Sequence, residues 1–516
     1  FNWLSIRKPF SLQKESRLLF LLISTPCFAS LAASSTEFRR IPHHMAKKPA
    51  NTTPATKEKT EAKPKGKPST TKKASSPSAA TADKKVTYEP GGETKKLTLK
   101  VPTQAEVLPE RRGVKKVLVA YSGGLDTSVM IPWLIENYGC EVVAFAADLG
   151  QGGDVKQLKQ KAINTGAKKC IVEDLRKEFV EDFILPAIMA NALYEGKYPM
   201  HTSLGRPLIA KRQVEIALAE GCDAVTHGCT GKGNDQARFE FTFMALAPQL
   251  RIIAPLREWE MKTRDDEFEY AEQRGIYLPI KREKPYSIDK NLYGLATECG
   301  VLEDPWHVAP EEAYQDVANP VDAPNTPEEI VIGFEQGVPV SLNGKKKSLL
   351  ALIEELQVIG NKHGIGRIDM VENRLVGIKS REVYEGPAAT MLIMAHKEIE
   401  SLVLDRETIS FKQIVDQKFT DVIYNGTWFS PFRESLFAFI KDTQQFVTGE
   451  VKLLLYKGLA RPIARRSPYS LYDTSLATYD AGDRFDRTKA EGFLRIFGMP
   501  LEIHYGRKQR IAKMKK

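Results

Sequence analysis

Between residues 114 and 230, short apolar runs rich in β-branched residues alternate with longer segments of helical periodicity. No other feature of the chain constrains its fold as much. VKKVLVAY (114–121), CEVVAFAADLGQ (140–151), KKCIVEDL (168–175) and DAVTHGCT (223–230) read as buried strands. Between them, DTSVMIPWLIENYG (126–139), VKQLKQKAINTGA (155–167), EFVEDFILPAIMANALY (178–194) and PLIAKRQVEIALAEGC (207–222) space their apolar residues as helices do. Such alternation predicts a parallel sheet covered on both faces, with ligands bound beyond the carboxyl ends of its strands.

After about Lys281 the alternation breaks. IVIGFEQGVPVSLNG (330–344) and GEVKLLLYKGLARPIARRS (449–467) read as hairpins, and DMVENRLVGIKSREVYE (369–385) as strand. SLLALIEELQVIGNKHG (348–364), PAATMLIMAHKEIESLVLDRETI (387–409) and SPFRESLFAFIKDTQQF (430–446) read as three helices, the last with Ser430 and Pro431 at its start. The expected order is a basic, disordered extension (1–113), a parallel-sheet α/β domain (114–280), an α+β domain (281–484) and a C-terminal arm (485–516) ending in a frayed RKQRIAKMKK.

Charge is unevenly spread. The chain carries a net +10, but residues 1–85 hold 17 Lys and Arg against 5 Asp and Glu. The remainder is close to neutral, so the basic balance gives no support to a nucleic-acid surface on the folded part. Residues 46–85 have almost no large apolar side chains and are expected to be disordered. LLFLLISTPCFASLAA (18–33) resembles the apolar part of a secretory leader and is too short and interrupted for a membrane span, so no stable membrane association is expected. Residues 1–85 are either a presequence, giving a plastid location, or untranslated-region sequence ahead of Met45 followed by a flexible tail on a cytoplasmic protein. The six cysteines form no C-x-x-C pair, against a zinc ribbon or a disulfide scaffold.

Two turns carry chemistry. Ser122-Gly-Gly-Leu-Asp-Thr-Ser128 joins a strand to a helix, where backbone N–H groups, the helix N-terminus and three hydroxyls favour an anion. It is neither a Walker A loop, since no lysine follows, nor a G-x-G-x-x-G turn. Its S-G-G-x-D-[ST]-S form resembles the PP-loop of ATP pyrophosphatases, which split ATP between the α- and β-phosphates. The second turn, HGCTGKGNDQARFE (227–240), is too polar for a core and suits a site holding an amino acid beside a nucleotide.

With AADLGQ, YPMHTSLGRPLIAK, YSIDKNL, APNTPEEI, KHGIGRIDMVENRLVGIKSREVY and SPYSLY in the same order, the chain resembles the argininosuccinate synthase family from about Val114 to Glu502, in its plant and cyanobacterial type. The resemblance implies a PP-loop (adenine nucleotide alpha hydrolase-like) domain, a synthetase domain and an oligomerisation arm. It also implies a homotetramer and the condensation of citrulline with aspartate through a citrullyl-adenylate, with ATP as substrate and Mg²⁺ accompanying it.

Carried over by position, Ala120, Tyr121, Ser122, Gly123, Gly124, Leu125, Asp126, Thr127, Ser128, Ala147 and Gly228 would bind ATP. Thr230, Asn234 and Asp235 would bind aspartate. Tyr198, Ser203, Asn234, Arg238, Ser287, Glu372 and Tyr384 would bind citrulline, Arg238 as a fork for its carboxylate. Asp126, Ser128, Asn234 and Asp235 would be catalytic, and no resident metal site is expected.

Three positions depart from the family pattern. Ala296 replaces a usual serine, a lost hydrogen bond worth about 0.5–1.5 kcal/mol. His201 stands where a small residue is common and is expected to point outward, and Glu382 stands where glycine is usual. The competing readings are a tRNA-modifying PP-loop enzyme, disfavoured by the missing cysteine pair, and a non-catalytic scaffold of the same fold.

Overall fold

A computed structural model describes residues 94–278 and 286–516. The alternating half folds as expected. β1 (Lys116–Ala120), β2 (Glu141–Asp148), β3 (Lys169–Asp174), β4 (Ala224–Thr226) and β5 (Arg251–Ile253) form one parallel sheet in the order β3-β2-β1-β4-β5. The chain runs to one side of β1 and then returns to the other, so the carboxyl ends of β1 and β4 flank the switch point where such sheets bind ligands. α1 (Leu125–Tyr138) stops at Gly139, whose φ of +60° supplies the left-handed cap. α2 (Val155–Asn164) starts on Asp154, which accepts from the N–H groups of Lys156 and Gln157.

α3 (His201–Ala219) joins the two halves. Its Gln213 amide donates to the Leu118 and Thr226 carbonyls, stapling β1 to β4 from the buried face. It also packs on β6 (Ser287–Asn291) and β7 (Gly294–Glu298), and against α4 (Asp235–Leu246). α5 (Arg264–Arg274) begins with a Thr263–Asp266 capping box and packs on α1.

The second half holds two antiparallel sheets. One has the order β11-β12-β7-β6, with β11 (Arg367–Asn373) and β12 (Lys379–Glu385) forming a hairpin. The other has the order β10-β9-β8-β13-β14, from β8 (Glu328–Glu335), β9 (Val338–Leu342), β10 (Lys345–Lys346), β13 (Gly449–Tyr456) and β14 (Leu459–Arg466). α6 (Leu349–Lys362) packs on β9, and α7 (Pro387–Val403) lies across β13 and β14 and against α6. α8 (Arg406–Tyr424) and α9 (Pro431–Thr443) complete the layer, and α10 (Thr488–Met514) ends the chain with no buried residue.

Several expectations are corrected. Residues 94–113 are not a disordered extension: the Leu97 N–H bonds the Asn164 carbonyl at 2.9 Å, Val107 is buried, and Arg111 lies 4.9 Å over the Trp133 ring. The helix expected over 178–194 is a π-turn followed by a short α segment ending at Met189. α3 begins at His201 and carries Pro207 inside it, so the proline does not mark its start. The helix expected over 387–409 is two, because Asp405 accepts from the N–H groups of Glu407 and Thr408 and starts α8. Residues 507–514, expected to fray, belong to α10. The expected boundary at 280–281 and the presequence reading of 1–85 lie outside the described residues.

Candidate active site

The turn after β1 is shaped by Gly123. Its φ is +77°, and a Cβ there would sit 2.5 Å from Leu158 Cδ1. Only glycine fits both constraints. The Ser122 and Thr127 hydroxyls lie 3.2 Å apart, and the Gly124 N–H donates to Ser122 Oγ at 3.3 Å. Lys161 of α2 donates to the Gly123 carbonyl at 2.6 Å, and burial pushes its ammonium down to about 8. The turn therefore has a lysine, supplied by the next helix rather than by the turn itself. The turn after β4 presses on the first: a Cβ on Gly228 would lie 3.0 Å from Thr127 Cγ2.

Between these turns and the β11-β12-β7-β6 sheet lies a cleft of about 480 Å³. Ala120, Tyr121, Ser122, Asp126, Thr127, Ala147 and Gly228 line one end. Thr230, Asn234, Asp235, Arg238, Tyr198, Ser203, Ser287, Glu372 and Tyr384 line the rest. Gly123, Gly124 and Leu125 shape the turn without lining the cleft. Ser128 is fully buried at the start of α1, away from the cleft. A larger cavity of about 690 Å³, walled by Met189, Trp428 and Phe437 among others, shares none of these groups.

Asp235 opens α4 and is paired with two arginines, Arg206 Nε at 2.8 Å and Arg238 Nη1 at 2.7 Å. Burial opposes its charge, but the guanidinium groups outweigh it and hold its carboxyl down at about 2. Arg206 of α3 also pairs with Asp289 of β6, so one guanidinium links α3, α4 and β6 along the cleft. Arg238 is 4% exposed. Its Nε donates to the Tyr424 carbonyl at 3.1 Å, while its Nη2 has no hydrogen-bond partner among the described residues. A buried guanidinium N–H without an acceptor is an unmet hydrogen bond on a residue that lines the cleft. Asn234 is held at both ends: its amide donates to the Tyr424 hydroxyl at 2.8 Å, and its Oδ1 accepts from the Leu375 N–H.

The β11–β12 hairpin brings in acid. Glu372, Glu382 and Tyr384 face one another, and the Tyr384 ring stacks on Tyr198 with centroids 3.9 Å apart. Arg374 bridges Glu382 at 2.8 Å and Glu298 at 2.5 Å. Burial first, then the Glu382 charge, pushes both Glu372 and Glu298 up to about 7. Beside the glycine turn, Glu267 of α5 faces Asp126; burial, then the Asp126 charge, pushes its carboxyl up to about 9.

His201 does not point outward. It is fully buried, edge-on to Tyr198 and Tyr384, in room left by two glycines. A Cβ on Gly294 would lie 2.6 Å from its Cγ, and one on Gly386 3.0 Å from its Cδ2. Neither ring nitrogen has a hydrogen-bond partner among the described residues, and burial pushes the imidazole down to about 3. Ala296 lines the cleft opposite Tyr384 in the β7–β12 ladder. Sequence reasoning missed Lys161, Arg206, Asp289, Glu298, Arg374 and Tyr424; Arg206, Asp289 and Arg374 stood inside the motifs named above, which was the one available signal.

Comparison with known proteins agrees with the geometry. Residues 116–277 match the family model described as the arginosuccinate synthase N-terminal HUP domain, and residues 286–504 match the arginosuccinate synthase C-terminal domain. The argininosuccinate synthase of Symbiobacterium thermophilum is 56% identical over 76% of this chain and 97% of its own length. That of Geobacillus kaustophilus is 56% identical over 75% and 95%, and that of Pelodictyon phaeoclathratiforme 53% over 76% and 98%.

Proposed function

The chain belongs to the argininosuccinate synthase family, and we propose how its cleft divides the work of joining citrulline to aspartate with ATP in arginine biosynthesis. Carrying this reading is the Arg238 Nη2, a buried donor unpaired among the described residues, on a side chain that lines the same cleft as the glycine turn. An amino-acid carboxylate docked on Arg238 lies in one enclosure with the phosphates that activate its side chain.

The pyrophosphate part of ATP sits on the Ser122–Ser128 turn, with Ala147 and Gly228 beside the adenosine. Citrulline places its carboxylate on Arg238, its α-ammonium on Glu372, and its ureido end toward the turn past Tyr198, Ser203 and Ser287. The ureido oxygen attacks the α-phosphorus, pyrophosphate leaves, and the aspartate amine then displaces AMP from the citrullyl-adenylate. One hard step becomes two easier ones, and the protein supplies orientation and charge. Aspartate meets Thr230, Asn234 and Asp235; each Asp235 oxygen already accepts from an arginine and keeps a free lone pair. Asp126 and Thr127 act at the phosphates, and Ser128 supports the turn from behind.

Mg²⁺ enters with ATP as part of the substrate. Among the described residues no group of three His, Cys, Asp or Glu side chains could cage it. The HUP part (114–280), the synthetase part (281–484) and the arm (485–516) are the working divisions. α10 carries Phe493, Leu494, Ile496, Phe497 and Leu501 between 61% and 76% exposed, a helix that docks on neighbouring copies in a homotetramer. No described helix is long and apolar enough to cross a membrane; the enzyme works in the cytoplasm, or in a plastid if residues 1–85 are a presequence.

Citrulline labelled with oxygen-18 at the ureido position tests the chemistry. The label appears in AMP; its retention in argininosuccinate would overturn the adenylate step.

A further inference from the structure

Glu382 is 8% exposed and enters a site that already holds two other carboxylates, Glu372 and Glu298. Its Oε2 lies 2.7 Å from the Tyr384 hydroxyl, and the same hydroxyl lies 2.8 Å from Glu372 Oε2. On its other side, Glu372 Oε1 lies 2.6 Å from the Tyr424 hydroxyl, which accepts from the Asn234 amide. These are three oxygen-to-oxygen contacts in a row, and each needs one proton between its atoms. The two phenols supply two. Neither is ionised, since burial pushes both Tyr384 and Tyr424 well above their ordinary range. The third proton must sit on a carboxyl.

We propose that Glu372 and Glu382 hold one proton between them across Tyr384, and that the α-ammonium of citrulline expels it to solvent on binding. The inference rests on the reading that citrulline presents its ammonium to Glu372. Glu382 is then a positioning residue that makes the citrulline end of the cleft sensitive to pH. The charged and titratable groups around the pair are Arg374 and Glu298 beside Glu382, with Asp235 acting on Glu298; Arg238, Tyr424, Tyr198 and Tyr194 around Glu372; and His201 edge-on to Tyr384. A cation placed against two carboxylates lowers their proton affinity whatever its detailed pose, so proton and substrate compete. Burial and the Glu382 charge, which push Glu372 up to about 7, put the competition within the working range of pH.

The test measures citrulline binding to the full chain by calorimetry at pH 7, in two buffers of different ionisation enthalpy. The native chain releases roughly half a proton or more per citrulline bound, and its citrulline KM falls about fivefold or more from pH 6 to pH 7.5 while kcat does not follow the same profile. In Glu382→Gln, and in Glu382→Gly, the release drops to near zero and the KM profile flattens. Equal proton release by native chain and Glu382→Gln, or no release by the native chain, would overturn the proposal. Glu372→Gln separates it from the reading beneath it: undiminished citrulline binding there would sink the placement of the ammonium, whereas lost binding alongside no native proton release would sink only the shared proton.

Discussion

His201 makes stability depend on pH in a way that can be isolated. Its imidazole is fully buried, without a hydrogen-bond partner among the described residues, and burial pushes it from 6.5 down to about 3. Above the unfolded value of 6.5 the ring is neutral in both states and contributes no pH dependence. As pH falls below 6.5 the unfolded chain takes up a proton that the folded chain refuses until about pH 3, so stability is lost throughout that window. At pH 5.0 the gap from 6.5 is about 1.5 units, a loss on the order of 2 kcal/mol relative to pH 7.5. Replacing the ring with leucine keeps an apolar body in the space beside Gly294 and Gly386 and removes the titration. Equilibrium urea unfolding of the native chain and His201→Leu, each at pH 7.5 and 5.0, reads the difference. The native chain should lose about 2 kcal/mol more than the variant between the two pH values. Equal losses would refute the buried, neutral placement of this ring.

Other consequences can be measured singly. Gly123→Ala puts a Cβ against Leu158 and strains a left-handed turn, so it should cost about 1–3 kcal/mol in urea unfolding and lower kcat/KM for ATP at least tenfold. Arg238→Lys keeps a charge but loses the fork, so the citrulline KM should rise on the order of tenfold or more with a smaller change in kcat. The Glu267 carboxyl, raised from 4.5 to about 9, binds a proton in the folded state that the unfolded chain gives up, so stability falls as pH climbs through that window; Glu267→Gln should retain more of its stability at pH 8.5 than the native chain, by thermal unfolding. Removing residues 485–516 should turn a tetramer into smaller species by light scattering.

The glycine turn, the Thr230–Arg238 run and the β11–β12 hairpin were legible because each places its chemistry within a few residues of sequence. What was not legible depends on elements that meet only in space. Lys161 reaches the Gly123 carbonyl from the following helix, and Tyr424 reaches Glu372 from α8. The burial of His201 is invisible locally, because its room is made by Gly294 and Gly386 far along the chain. Asp405 looked like one more polar residue in a helical run, and only its bonds to the Glu407 and Thr408 N–H groups mark it as a cap. Residues 94–113 gave no periodic signal, since Leu97, Leu99 and Val107 are isolated apolar contacts among polar neighbours.

With His201, Ala296 and Glu382 in place, this cleft still activates citrulline with ATP. Pyrophosphate release by the full chain, with citrulline and aspartate each omitted in turn, tests that directly. Release that requires citrulline, with argininosuccinate formed once aspartate is added, is the predicted result. No release at saturating substrates, from protein shown to be folded by circular dichroism, would contradict it.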